Sequence, residues 1–349
     1  MGLKQPLAGL VATALMILVA FLYISRFSLG DFMGWGSYYV IGLIPMQVMA
    51  GVLWGGKQTF IQGLSQPLRG LMALLVVVVV GGILSYLSWS IIGGGVSPPV
   101  PNVVFFIIIA VATTFFWCIV WGGWPFTKLI SNPVLAGLAT IIWCYLLNYV
   151  VYRTFYNFDF LKGAPVYVPA LDPGGLHNGW YGQVFQVTSL AVMFLILHFD
   201  LWPFTSSPAI MEQPTLGIVW TLTCHVIGGM LLFLGVNVMG MDVVHFLVTV
   251  PIPFIFGTIV LLNMMEASIF ASMKQPMKGV ASAATAAVAG TALAQLYLAL
   301  APMASGPMKA GPPAYDQEIW LASALLAITF PFLVGYAVYL EFWPLKKSA

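Results

Sequence analysis

The chain has 349 residues, of which 61% are hydrophobic and 6% charged, with a formal net charge of +2. A soluble domain carries about 25% charged residues, so this composition leaves too little polar surface to cover a water-soluble globule. The small net charge, with no basic cluster and no phosphate-cradling glycine loop, also argues against a nucleic-acid partner.

The apolar residues come in long runs, such as 71–84 and 103–120. Runs of about 20 apolar residues match the roughly 30 Å hydrocarbon core of a bilayer. The alternating pattern of an outer-membrane barrel is missing, so the spans are expected to be helices. The sequence therefore predicts an all-α polytopic membrane protein in the plasma or inner membrane. About ten transmembrane helices are expected, near 6–25, 38–58, 67–92, 103–123, 134–152, 183–204, 215–237, 244–270, 278–301 and 319–343. The first run lacks a small-residue cleavage site after it, which reads as a retained span and not a removed signal peptide.

Basic residues set the expected orientation. One set of loops holds Lys4, Lys57, Arg69, Lys128, Lys274, Lys278, Lys346 and Lys347, and the other holds Arg26, Arg153, Lys162 and Lys309. The richer set is expected to be cytoplasmic. Both termini then lie in the cytoplasm, as an even number of spans requires.

A short phrase recurs at the start of each odd-numbered span: Gln5-Pro6, Gln66-Pro67, Asn132-Pro133, Gln213-Pro214 and Gln275-Pro276. Glycine follows three residues after the proline at Gly9, Gly70, Gly217 and Gly279, and one residue later at Gly137. Proline suits the first turn of a helix, where its missing N–H costs nothing, and the preceding Gln or Asn can cap the helix. The even spans are expected to close at Trp124-Pro125-Phe126, Trp202-Pro203-Phe204 and Trp343-Pro344-Leu345, with 57–60 and 268–270 in the same place. The proline spacings are 61, 66, 81 and 62 residues. The expectation is five helical-hairpin repeats inserted in parallel, near 5–60, 66–126, 132–204, 213–270 and 275–345. Interfacial tryptophan and helix-starting proline are also common in unrelated spans, which is the competing explanation.

Ionisable groups in or near a span are the best pointers to function. Aligned on the closing Phe or Leu, Asp200, Glu266 and Glu341 occupy one repeat position, with Gly56 and Gly122 as the equivalents in the earlier hairpins. They read either as a cation or proton site, with Asn263 on the Glu266 face, or as interfacial carboxylates solvated by headgroups. If Glu266 carries an ion, Glu266→Gln abolishes flux while the protein still inserts. His225 is expected near the membrane midplane beside Cys224, His198 near one face, and Asp242 with His245 near the other. These depths do not suit a bis-histidine haem. A soft copper site of His225, Cys224 and methionine is a weaker alternative, and a histidine hydrogen-bonded to a neighbouring helix is the plainer one. Pro45, Pro251, Pro253 and Pro331 are expected to kink their helices, as in transporters whose broken helices line substrate sites.

The small-residue run 281–294 in the ninth span suits close packing between neighbours or against a partner. The cysteines Cys118, Cys144 and Cys224 fall inside spans and read as apolar fillers. The loop 153–182 is the long one, a candidate lid or docking surface, with His177 and Asp172 expected to be solvated. No catalytic signature of the H-E-x-x-H or G-x-S-x-G kind occurs. The expected function is a transport protein, permease or channel-like, passing a small solute or ion through the even helices. The alternatives are a non-catalytic anchor or scaffold subunit of a membrane complex, and a metal- or haem-dependent membrane enzyme. Its partners would be the lipid bilayer, the solute, and a second copy or other membrane subunits.

Overall fold

The computed structural model describes residues 2–56, 61 and 63–346. Among these, nine helices are long and apolar enough to cross a membrane. They are α1 Leu7–Ile24, α3 Leu68–Ile91, α4 Pro101–Val120, α5 Pro133–Phe155, α6 Gly179–His198, α7 Thr215–Val238, α8 Val243–Met264, α9 Met277–Ser305 and α10 Asp316–Tyr339. The expected second span is instead two short helices, Ser37–Ile41 and Ile44–Val52, here taken together as α2. Both α1 and α3 start at the face that holds the two chain ends, so the α2 segment must bring the chain back between them. That face is marked by Leu3 N–H donating to Leu345 O at 2.8 Å. The protein is an all-α polytopic membrane protein.

The helices sort into two layers. In the most apolar stretch of α4, α6, α8 and α10, between 56% and 72% of residues are buried, against 22% to 33% in α1, α3, α5, α7 and α9. The inner segments pack in a closed sequence: α2 on α4, α4 on α6, α6 on α8, α8 on α10, and α10 back on α2. Each outer helix covers a seam between two inner ones. Thus α1 lies over α8 and α10, α3 over α10 and α2, α5 over α2 and α4, α7 over α4 and α6, and α9 over α6 and α8.

The Gln-Pro phrase explains why this arrangement holds. Gln5 Nε2 donates to Met264 O at 3.0 Å, Gln66 Nε2 to Tyr339 O at 2.8 Å, Gln213 Nε2 to Val120 O at 2.8 Å, and Gln275 Nε2 to His198 O at 3.0 Å. Each acceptor is the last residue of the inner helix that the outer helix covers, and its carbonyl has no partner within its own helix. The glutamine Oε1 accepts from its own helix, at Gly9, Gly70, Gly217 and Gly279 N–H. Those glycines are where the helices touch. A Cβ on Gly9 would strike Met264 O, one on Gly70 would strike Tyr339 O, and at Gly217 and Gly279 it would strike the Trp121 and Phe199 rings. At α5 the tie is reversed. Asn132 caps its own helix through Val134 and Leu135 N–H, while Trp54 Nε1 donates to Pro133 O at 2.9 Å.

The inner helices stop earlier than the sequence suggested, at Val120, His198, Met264 and Tyr339. The physical reason is a pair of consecutive left-handed residues that no α-helix can pass. These pairs are Gly55-Gly56, Gly122-Gly123, Asp200-Leu201, Glu266-Ala267 and Glu341-Phe342. The Trp-Pro segments therefore lie in the following turns. The first left-handed residue in the earliest pair is Gly55, so the equivalent of Asp200 is Gly55 and not Gly56. Lys57 to Phe60 and Lys347 lie outside the described residues.

Irregular backbone is frequent in the inner layer, and the outer α7 also finishes in a π stretch at Phe233–Val238. α2 is interrupted at Gly42 and Leu43 with Pro45 in the first turn of its second part, and α8 breaks at Val250 just before Pro251 and Pro253. Pro331 stands in the first turn after the π-helical stretch Ser323–Thr329 of α10. α4, α8 and α10 finish in π turns at Phe116–Val120, Ile259–Met264 and Gly335–Tyr339. The small-residue face of α9 packs against α8, where a Cβ on Gly257 would meet Ala286 O and one on Gly290 would meet Pro253 O. The rest of α9 faces outward and is not buried all round.

The loop after α5 folds over the far ends of α4 and α6. Tyr156–Asn157 pairs with His177–Asn178 in a two-residue parallel ladder. Asp172 is not merely solvated as expected: its carboxylate accepts from Phe158 N–H at 3.1 Å, Tyr167 OH at 3.1 Å and Gly174 N–H at 2.9 Å. His177 is exposed, stacked on Phe155.

Removing one glutamine tie leaves a carbonyl and an N–H without partners, and an unmet buried group costs about 1–3 kcal/mol. Gln275→Leu is therefore expected to destabilise the protein by about 2 kcal/mol in denaturant unfolding of the micelle-solubilised chain. Lys278→Met, which removes the charge partner of the exposed Asp200 carboxylate, should cost less than about 1 kcal/mol. The reverse ranking would show that the ties do not hold the layers together.

Candidate central cavity

The closed inner layer surrounds a cavity of about 250 Å³. Every inner segment contributes: Gln47 and Gly51 from α2, Phe115 and Ile119 from α4, Phe194 and Leu197 from α6, Thr258 and Asn263 from α8, and Phe330 and Val334 from α10. Three phenyl rings stand at its deep end, with Phe115 centred 5.4 Å from Phe194 and 5.8 Å from Phe330. From there it runs toward the face carrying the chain ends, past Val52 and Val338. Among the described residues, its lining includes no Asp, Glu, Lys, Arg or His.

Three polar side chains stand out in this apolar lining. Gln47 is 3% exposed; its Nε2 donates to Pro331 O at 2.8 Å, and its Oε1 is buried with no partner among the described residues. Pro331 O also accepts from Gly335 N–H within its own helix, so Gln47 shares a carbonyl that the helix already uses. Thr258 links the cavity to His198, whose Nε2 lies 2.9 Å from Thr258 Oγ1 and whose Nδ1 lies 2.7 Å from Ser282 Oγ. Asn263, expected from the sequence, completes the polar set. Gln47, Thr258 and Ser282 were not singled out in the sequence; a polar residue inside a kinked, otherwise apolar span was the available signal for Gln47.

The carboxylates expected beside Asn263 lie elsewhere. Asp200 Oδ2 accepts from Lys278 Nζ at 2.7 Å and from Gln275 Nε2 at 2.9 Å. Glu341 pairs with Arg69 Nη2 at 2.7 Å, and Glu266 with Lys346 Nζ at 2.6 Å. All three sit in the left-handed turns at the ends of inner helices, each facing a base from another part of the chain. Burial pulls the Asp200 carboxyl upward, but hydrogen bonds from Lys278 and Gln275 and the lysine charge outweigh it and hold the group below the usual aspartate value.

The remaining candidates are scattered. Asp242 caps the start of α8 through Val244 N–H at 2.9 Å and His245 N–H at 3.0 Å, and accepts from Tyr315 OH at 2.8 Å. Burial, then the Asp242 carboxylate, push the Tyr315 hydroxyl up to about 12, so it remains a donor at neutral pH. His245 is exposed beyond that cap. His225 lies on α7 with Nδ1 2.8 Å from Thr221 O, while Cys224 beside it is fully buried. Successive residues of a helix point about 100° apart, so these two do not share a face. Among the described residues, no group of three or more His, Cys, Asp or Glu is placed to hold a metal.

The fold and the cavity together define a multi-pass helical membrane protein with a chamber of about 250 Å³ inside its inner layer. Comparisons with protein-family models, with curated proteins and with solved structures returned no match, so the functional reading rests on this geometry.

The Asp200 pair gives a pH prediction. A carboxyl held below its unfolded value of about 3.9 stabilises the folded state fully above that value and loses its contribution as pH falls through the folded one. The stability difference between the native chain and Asp200→Asn is expected to stay constant from about pH 8 to 5 and to shrink only below about pH 4. A difference that changes near neutral pH would place another titrating group in that pair.

Proposed function

We propose that the protein is a membrane transport protein and that the central cavity is its solute site. The observation that carries this reading is a chamber lined from every inner segment, holding a buried glutamine oxygen without a partner. Buried polar groups in native proteins are nearly always hydrogen-bonded, and the exceptions call for a bound partner or a function. A solute with an N–H or O–H group would meet Gln47 Oε1 while its apolar part rests on Phe115, Phe194 and Phe330.

The solute in this proposal is small and uncharged. A bare ion in an apolar chamber would lose its hydration without compensation. The three phenyl rings act as the barrier toward the far face, since apolar constrictions close a path by excluding water. The carboxylates Asp200, Glu266 and Glu341 serve as ties between helix ends and not as a translocated-ion site. We further propose that the five hairpins are copies of one unit, inserted with both chain ends in the cytoplasm. The recurrence of the glutamine ties, of the left-handed pairs and of the seam each outer helix covers supports the repeat; the excess of Lys and Arg supports the orientation.

Stopped-flow swelling of proteoliposomes exposed to urea, glycerol or acetamide tests the proposal. At least one solute should cross faster than in protein-free liposomes. Gly51→Phe, which fills the chamber from a position with only ordinary contacts around it, should remove that difference. Glu266→Gln should leave it within about twofold, because the Glu266 carboxylate is exposed and pairs with Lys346 away from the chamber. Permeability equal to empty liposomes for every solute, or a loss in Glu266→Gln alone, would reject the cavity as the path.

A further inference from the structure

A second cavity, separate from the central one, lies between the far halves of α5 and α7, with α6 as its floor. Its volume is about 850 Å³, and ligand sites occupy roughly 300–1,000 Å³. Phe155 and Phe233 on its rims are exposed, so it opens on the outward, lipid-facing side of the bundle. From His225 to Asn237 the groove follows about 18 Å of α7 at 1.5 Å per residue, from mid-membrane to the far end.

The deep end of this groove is polar, which is the reverse of what a lipid tail needs. His225 stands there between the rings of Phe116, centred 5.0 Å away, and Phe185, centred 5.5 Å away. Its Nδ1 lies 2.8 Å from Thr221 O. A carbonyl only accepts, so Nδ1 carries the proton. A neutral ring then has one function left, the bare lone pair on Nε2, which accepts and cannot donate. Just past the end of α5, Tyr156 lines the same groove, and its hydroxyl is buried without a partner among the described residues. An acyl chain lying here would leave both groups unmet in a medium where that is costly.

We propose that this groove binds a membrane-soluble alcohol or phenol, whose apolar body lies along α7 and whose hydroxyl donates to His225 Nε2. The groove lining also carries Gln186, Asn178 and Asn237, but at its deep end His225 Nε2 can only accept, which makes that position selective. A hydroxyl ligand satisfies it, whereas the matching methyl ether has no proton to give. The site is independent of the central cavity and of the transport reading.

The test is thermal unfolding of the protein in lipid nanodiscs with para-dodecylphenol, with para-dodecylanisole as the ether control. The expected result is a rise in the midpoint with the phenol that the ether does not give, since a ligand bound only to the folded state stabilises it. His225→Phe should weaken the phenol effect by about tenfold in concentration, and His225→Gln, which keeps an acceptor oxygen, should retain part of it. Gly229→Val, which narrows the groove beside Phe185, should weaken the phenol effect even if His225→Phe does not fold. Equal shifts from phenol and ether, or a phenol shift unchanged in folded His225→Phe or in Gly229→Val, would overturn the proposal.

Discussion

The last carbonyls of the inner helices are the constraint on which the structure turns. A helix that ends inside a protein leaves carbonyls unpaired, and near the membrane there is little water to take them. Here a glutamine at the start of an outer helix reaches across to that end, at Met264, Tyr339, Val120 and His198. The same side chain accepts from its own helix four residues on, so a single residue satisfies one end of each partner. Close approach is required for the reach, and glycine at the contact provides it. Lipid gives helices no hydrophobic drive toward one another, which leaves such bonds and backbone contacts to decide who packs on whom.

With its outer face covered, the inner layer can be irregular. Backbone that departs from a helix is tolerated at membrane depth only where protein surrounds it. The breaks at Gly42 and Val250 and the π turns that finish α4, α8 and α10 fall in the covered layer, while the outer α7 carries a π stretch at its far end, Phe233–Val238. These departures open the chamber and admit Gln47, Thr258 and Asn263 among valines and phenylalanines. The same shielding accounts for His198, which is buried between Thr258 and Ser282 at the α6–α8–α9 junction without an ionic partner.

Much of the fold was legible in the chain. Hydropathy marked the spans, and the Gln-Pro starts located each outer helix, because both are local properties of consecutive residues. The ends of the inner helices were misplaced by a few residues toward the Trp-Pro segments. Nothing local announces that Asp200-Leu201 or Glu341-Phe342 will turn left-handed, since those residues seldom do so. The three acids all stand in left-handed turns after inner helices, yet their partners Lys278, Arg69 and Lys346 lie 78, 272 and 80 residues away. Pairing over such separations depends on which outer helix covers which seam.

The sequence by itself determined that this chain lives in a bilayer as a bundle of helices, because nothing else can hold so many apolar residues with so few charges. It also determined where helices begin, since proline and glutamine act within a few residues of themselves. Only the tertiary structure decided that the even segments lie inside and the odd ones outside. Spans of similar hydropathy do not reveal which faces meet. The same packing decided that one glutamine oxygen is left without a donor among the described residues inside a shared chamber and that one histidine presents a lone pair to a lipid-facing groove. Both are consequences of neighbours brought together from distant parts of the chain.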